Sequence, residues 1–126
     1  MAKFMFLLRE NPADSADITP QEIQALIAKY KKWSSEMGAK GKLLGGEKLT
    51  DEGGRHLKLA RGKALGTDGP FVEAKDLIGG YFLIDAVDYA EAEKIAESCP
   101  HLMGNQWIEI RRIEEGVWPQ DNNPLK

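Results

Sequence analysis

Two carboxylates and an amine fall within the eight residues Asp68-Gly69-Pro70-Phe71-Val72-Glu73-Ala74-Lys75, and the turn-formers among them put that chemistry on a loop. Asp68 precedes a Gly-Pro pair, so its carboxylate either caps the turn by bonding the backbone two residues on or stands free as an acid/base. Pro70 fixes its own backbone and pushes Gly69 toward extended geometry, which makes the bend rigid. Glu73 and Lys75 share one side if the chain is extended, as a solvated pair or as part of a ligand site. His101 follows Pro100 at a helix end, where an imidazole can transfer protons near neutral pH or bond the last carbonyls. Arg9 and Arg111 can pair with Glu47 or Glu109 as structure, or grip a carboxylate or phenolate with their forked donors. The candidate catalytic residues are therefore Asp68 and His101, and the candidate ligand-binding residues are Arg9, Glu47, Glu73, Tyr81 and Arg111.

The rest of the composition narrows the classes. No nucleophile and base pair at a recognised catalytic spacing, and the sequence carries no cofactor fingerprint, so no cofactor is expected. With one cysteine, Cys99, and two histidines, neither a disulfide framework nor a metal-ligand spacing can be built, and the site is expected to hold no metal. Cys99 lies in a helical stripe and reads as a small buried apolar residue. The net charge of −3 is dispersed, without the basic stripe that neutralises phosphates, so direct nucleic-acid binding is not expected. The apolar run Phe4 to Leu8 is too short for a signal peptide or a membrane span, and a soluble cytoplasmic protein is the expectation.

These candidates must be positioned by strands and helices that the pattern locates. The chain of 126 residues, 42% hydrophobic and 29% charged, suits one globular domain. Lys3 to Glu10 reads as a central strand covered on both faces, because five apolar residues follow one another without alternation. Thr19-Pro20-Gln21-Glu22 starts a helix with a capping box and a proline at its first position. Ile23, Leu26, Ile27, Tyr30, Trp33 and Met37 form its apolar stripe, and Gly38 and Gly41 close it. Lys42 to Leu49 is a strand with a bulge or close backbone approach at Gly45-Gly46, which puts Glu47 on a distorted strand.

After the polar turn Thr50 to Gly54, His56 and Lys58 alternate with Leu57 and Leu59 on a half-solvated strand, and Arg61-Gly62-Lys63 forms a hairpin tip. Leu77 to Val87 is the second dense apolar strand, and Asp88 with Glu91 opens a short helix bearing Ala92, Ile95, Ala96 and Cys99, stopped by Pro100. A last strand, Trp107 to Ile113, sets Ile108 and Ile110 against Trp107, Glu109 and Arg111. Two β-α-β units separated by a hairpin give an α+β fold: a ferredoxin-like antiparallel sheet with two helices on one face. The apolar central strands then need cover on the other face, which sheet-to-sheet homodimerisation supplies. The domain is expected to span 1–113, with the tail 114–126 docked on it or on a partner subunit through Trp118.

Asp68-Gly69-Pro70-Phe71 with Glu73 and Lys75, then Gly79-Gly80-Tyr81 and Ile84-Asp85, resemble the motif of the DGPF proteins of the YCII-related superfamily. Gly45-Gly46-Glu47, Cys99-Pro100-His101 and Ile108-Glu109-Ile110-Arg111 extend the resemblance over nearly the whole chain. It implies a dimeric α+β barrel. It also implies relatives associated with extracytoplasmic-function sigma factors, and others acting in aromatic degradation, dehydrochlorination included, with a His-Asp pair whose His lies near the start of the first helix. This chain departs there, because its only histidines are His56 and His101. Two functions follow as expectations. One is a homodimer binding a small anionic or aromatic ligand, with proton-transfer or elimination chemistry at Asp68 or His101. The other is a non-catalytic regulatory or interaction module linked to sigma-factor signalling.

Overall fold

The computed structural model describes residues 2–69 and 76–118. Of the stretch that opened the sequence reading, Pro70 to Lys75, including the candidate Glu73, lies outside the described residues, as does the tail beyond Trp118. Strands β1 (Ala2–Glu10), β2 (Leu43–Lys48), β5 (Leu77–Ala86) and β6 (Trp107–Arg112) form an antiparallel sheet in the order β2-β5-β1-β6. Helices α1 (Pro20–Ala39) and α2 (Tyr89–Glu97) are the crossovers, and β3 (Arg55–Ala60) and β4 (Lys63–Asp68) pair only with each other. The architecture is the ferredoxin-like α+β arrangement, with a hairpin inserted between its second and third sheet strands.

Local sequence explains the helices. Thr19 Oγ1 accepts from the Glu22 N–H at 3.1 Å while Glu22 reaches back to the Thr19 N–H, and Pro20 follows the cap. At the other end Gly41 adopts φ +70°, which lets Lys42 N–H reach Met37 O at 2.9 Å and Gly41 N–H reach Gly38 O at 3.0 Å, the paired bonds of a Schellman cap. In α2 the box is only half formed. Asp88 accepts from the Glu91 N–H, but the Glu91 carboxylate turns instead to the Val87 N–H at 2.9 Å and to Lys42 Nζ at 3.1 Å. Those two bonds hold its carboxyl below the usual carboxylate range, the Val87 N–H contributing most.

Alternation along the strands sorts the sheet into two faces. Phe4, Phe6 and Leu8 lie under the helices with Trp33, Met37, Ile84, Ala86, Ala92, Ile95, Ala96 and Cys99, forming the core. Phe4, Phe6 and Ile84 are fully buried, and each such side chain contributes about 1.5–3 kcal/mol relative to exposure. Trp33 packs at a tilt against Phe82 with ring centroids 5.0 Å apart and donates its indole N–H to Ser98 Oγ at 2.9 Å. Cys99 is buried, and desolvation pushes its thiol up to about 11, so it is a packing residue at neutral pH. The helical stripe reaches the core only in its C-terminal half: Trp33 and Met37 are buried, whereas Ile23 and Ile27 remain exposed.

Both irregularities of the sheet involve glycine. The β2 register shifts between Leu43 and Gly45, and a Cβ on Gly46 would stand 2.5 Å from Phe82 Cδ1 and 2.6 Å from Tyr81 O. Close backbone approach is the reason for glycine there. The second bulge lies in β5, where Gly79 is the extra residue opposite the Leu8–Arg9 step of β1.

Candidate functional site

Pairing registers decide which candidate side chains share a surface. The register sets Leu7 opposite Tyr81 and Glu109, Met5 opposite Leu83 and Arg111, Arg9 opposite Trp107, and Glu47 opposite Tyr81. Cross-strand partners point to the same side, so Arg9, Glu47, Tyr81 and Arg111 lie together on the sheet face away from the helices. Four of the five ligand-binding candidates thus occupy one surface, with Met5, Leu7 and Leu83 half-buried among them.

The charges of that face are organised around Glu109. Arg9 donates from Nε at 3.2 Å and from Nη2 at 2.9 Å to Glu109 Oε1, and Arg111 Nη1 lies 3.4 Å from Oε2. The Arg9 guanidinium also sits 5.6 Å from the centroid of the Trp107 ring and 3.9 Å from Asp76 Oδ2. Hydrogen bonding from Arg9, with a smaller contribution from Arg111, holds the Glu109 carboxyl below the usual carboxylate range. Arg9 and Glu109 side chains are each about one-quarter exposed, whereas Arg111 is 70% exposed. Arg9 is therefore oriented, and Arg111 is the more available donor. Two guanidiniums meet two carboxylates beside the indole, Glu109 closely and Asp76 at 3.9 Å from Arg9, so the formal charges balance and Arg111 is the guanidinium held most loosely.

His101 occupies a different environment. It is 3% exposed and lies against the end of β1, where its Nε2–H donates to Arg9 O at 2.9 Å. A carbonyl can only accept, so the proton is on Nε2 and Nδ1 accepts, from Tyr30 Oη at 3.3 Å and from the Gln106 amide at 3.2 Å. Gln106 Nε2 also donates to His101 O at 2.9 Å, which fixes the amide orientation. Burial raises the Tyr30 phenol well above its ordinary value, keeping it a neutral donor. His101 thereby ties the α2–β6 connection to α1 and to the backbone of Arg9.

Asp68 ends β4 on the hairpin, 69% exposed at its side chain, and accepts from Arg55 Nη1 at 2.7 Å. The backbone does the turn's work: Gly69 N–H donates to Gly54 O at 2.8 Å, and a Cβ on Gly69 would collide with the Gly53 carbonyl. That packing of two glycine stretches accounts for the glycine after Asp68. Asp68 and His101 are held by different partners in different layers, and His56 is exposed on β3.

The residues that sequence reasoning did not place in the site are Glu109 as its organising carboxylate, Trp107, Asp76, Arg55 and Gln106. Period-two alternation with Arg111 could have found Trp107 and Glu109. Asp76, Arg55 and Gln106 required the fold. Among the described residues no group of three or more His, Cys, Asp or Glu side chains is placed to hold a metal, and no helix is long and apolar enough to cross a membrane. A hollow among the described residues is remote from these side chains: an open groove of about 660 Å³ lined by Ala2, Val87, Arg112, Ile113, Glu114 and Glu115, at the opposite end of β1 from Arg9.

No curated protein matches the chain. A family model described as the YCII-related domain matches residues 2–116, which takes in every strand and helix described above, and the chain belongs to the YCII-related family.

Proposed function

We propose that the protein is a homodimer joined through the open sheet face, and that it binds a small anionic aromatic ligand where Arg9, Trp107, Glu109 and Arg111 meet. The observation that carries the ligand is the Arg9 guanidinium, held by Glu109 at 2.9 Å and set 5.6 Å from the Trp107 ring centroid. An oriented fork beside an indole suits a planar carboxylate or phenolate, and Arg111 adds a second donor. Met5, Leu7, Tyr81 and Leu83, only partly buried in one protomer, supply apolar surface that a second sheet would cover. The DGPF subgroup within the family, a cytoplasmic location and a domain of 1–113 followed by a docked tail belong to the same reading.

Acid/base or elimination chemistry is a further step and asks more of the candidates. His101 would have to release its Nε2–H from Arg9 O, and Asp68 would have to leave Arg55. Binding comes first for that reason. A second reading, a non-catalytic module linked to extracytoplasmic-function sigma-factor signalling, draws support from the β3–β4 hairpin, whose leucines stand in solvent.

The test is a nitrogen-15 NMR titration with benzoate, using acetate as the control for charge alone. The expected result is saturable shifts at Arg9, Tyr81, Trp107 and Arg111 with benzoate. Arg9→Met and Arg111→Met should each weaken the affinity about tenfold, the scale of one charge-assisted contact. Wild-type affinity in either variant, or shifts confined to other surfaces, would refute the site.

A further inference from the structure

The pairing registers lay the open sheet face out in rungs. One rung carries Arg111, Met5, Leu83 and Gly45 in order across β6, β1, β5 and β2, and the next carries Glu109, Leu7, Tyr81 and Glu47. On β6 a base therefore neighbours an acid, on the two central strands large apolar groups neighbour each other, and on β2 a glycine neighbours a carboxylate. Arg111 is 70% exposed and reaches Glu109 Oε2 only at 3.4 Å. Among the described residues nothing lies within 4 Å of a Cβ built on Gly45, and Glu47 has no ion-pair partner.

A second copy packed face to face is related by a two-fold axis lying in the interface, and the rungs say where that axis runs. Laid across the strands between the two rungs, it sets each residue of one on its neighbour in the other. Arg111 meets the partner's Glu109, Met5 the partner's Leu7, Leu83 the partner's Tyr81, and Glu47 enters the space over the partner's Gly45. An axis through either rung would oppose Arg111 or Glu109 to its own copy, a like-charge contact. An axis along the strands would set Glu47 against the partner's Glu109, although it would also bring Lys3 over the partner's Asp85. With the crossing axis, Arg9, one rung beyond Leu7, faces the partner's Lys3, one rung beyond Met5. Lys3 is exposed and forms no ion pair with Asp85, its register partner; the partner's Asp85 falls one strand away, over Ile78. Two cations opposed across an interface favour an anion between them.

We propose that the two-fold crosses the strands between these rungs, so that Arg111 pairs with the partner's Glu109 and each anion site is shared, Arg9 from one protomer and Lys3 of the partner subunit holding the ligand between them. This rests on the homodimer and on the Arg9 site, and adds their geometry. The first test is sedimentation velocity on the full chain, with wild type expected to be a dimer. Gly45 has room for a side chain, so its variants keep the fold. Gly45→Glu should weaken the dimer about tenfold by meeting the partner's Glu47, and Gly45→Lys should tighten it by a similar factor. Opposite signs overturn the crossing axis in favour of the one along the strands, where the new side chain meets the partner's Arg111. Arg111→Glu and Glu109→Arg should each dimerise more weakly than wild type, and their mixture should form a tighter heterodimer in which both charge pairs return. A mixture no tighter than either chain alone overturns the Arg111–Glu109 contact. If neither set of changes moves the dimer while Leu7→Glu is monomeric, the axis fails and the sheet-face dimer stands; a monomeric wild type overturns both. In the benzoate titration Lys3→Met should weaken affinity about tenfold, as Arg9→Met does. Affinity lost in Arg9→Met but kept in Lys3→Met overturns the sharing and leaves the site to one protomer.

Discussion

Replacing His101 by Phe keeps a planar ring of similar width and deletes both of its polar atoms. Arg9 O then loses its donor at 2.9 Å, and Tyr30 Oη and the Gln106 amide lose the acceptor at 3.3 and 3.2 Å. An unsatisfied buried group costs about 1–3 kcal/mol. Arg9 O should bear most of this cost, because Tyr30 is only part-buried and Gln106 retains its bond to His101 O. The expected loss is about 3 kcal/mol, large against a total stability of roughly 5–15 kcal/mol. With a urea dependence of about 2 kcal/mol per M, the unfolding midpoint should fall by about 1.5 M. The same assignment fixes the wild-type tautomer, so nitrogen-15 spectra of the imidazole should show protonated Nε2 and bare Nδ1. A midpoint shift under about 0.3 M, or a proton on Nδ1, would show that His101 does not tether Arg9 and would return it to the pool of free bases.

Further expectations follow from the site and from the sheet. Glu109 is held below the usual carboxylate range, so its pairing stabilises the fold at neutral pH. That contribution is lost as pH falls from the ordinary carboxylate value through its depressed one. Glu109→Gln should flatten this acid limb in a plot of melting temperature against pH; an unchanged limb would mean the ion pair is not formed in solution. Gly46→Ala puts a Cβ 2.6 Å from the Tyr81 carbonyl and should cost about 1–3 kcal/mol in urea unfolding. Gly79→Ala has the Glu10 side chain as its nearest neighbour, which can swing away, and should cost under about 1 kcal/mol.

The contrast between those glycines shows what the sequence carries and what it does not. Strand, helix and hairpin order follows from periodicity and caps because each signal is local: Thr19, Pro20 and Glu22 fix a helix start whatever the chain does later. The common face of Arg9, Glu47, Tyr81 and Arg111 is different in kind, since it depends on registers between strands about 30 to 100 residues apart. Nothing in the spacing of Arg9 and Glu109 says that they meet. His101 is harder still. A histidine after Pro100 has the same local pattern whether it faces solvent or the Arg9 carbonyl, and only the packing of α1 against the α2–β6 connection decides. The leucines of β3 reverse the problem. Their alternation is a legible request for a covered face, which the other described residues do not supply. Where a local pattern asks for burial and the described residues leave the side chains bare, an association of the kind proposed for the sheet face would answer it. The open sheet face makes the same demand through Met5, Leu7 and Leu83, whose half-burial in one protomer follows from the β1–β5 register and from no signal local to either strand.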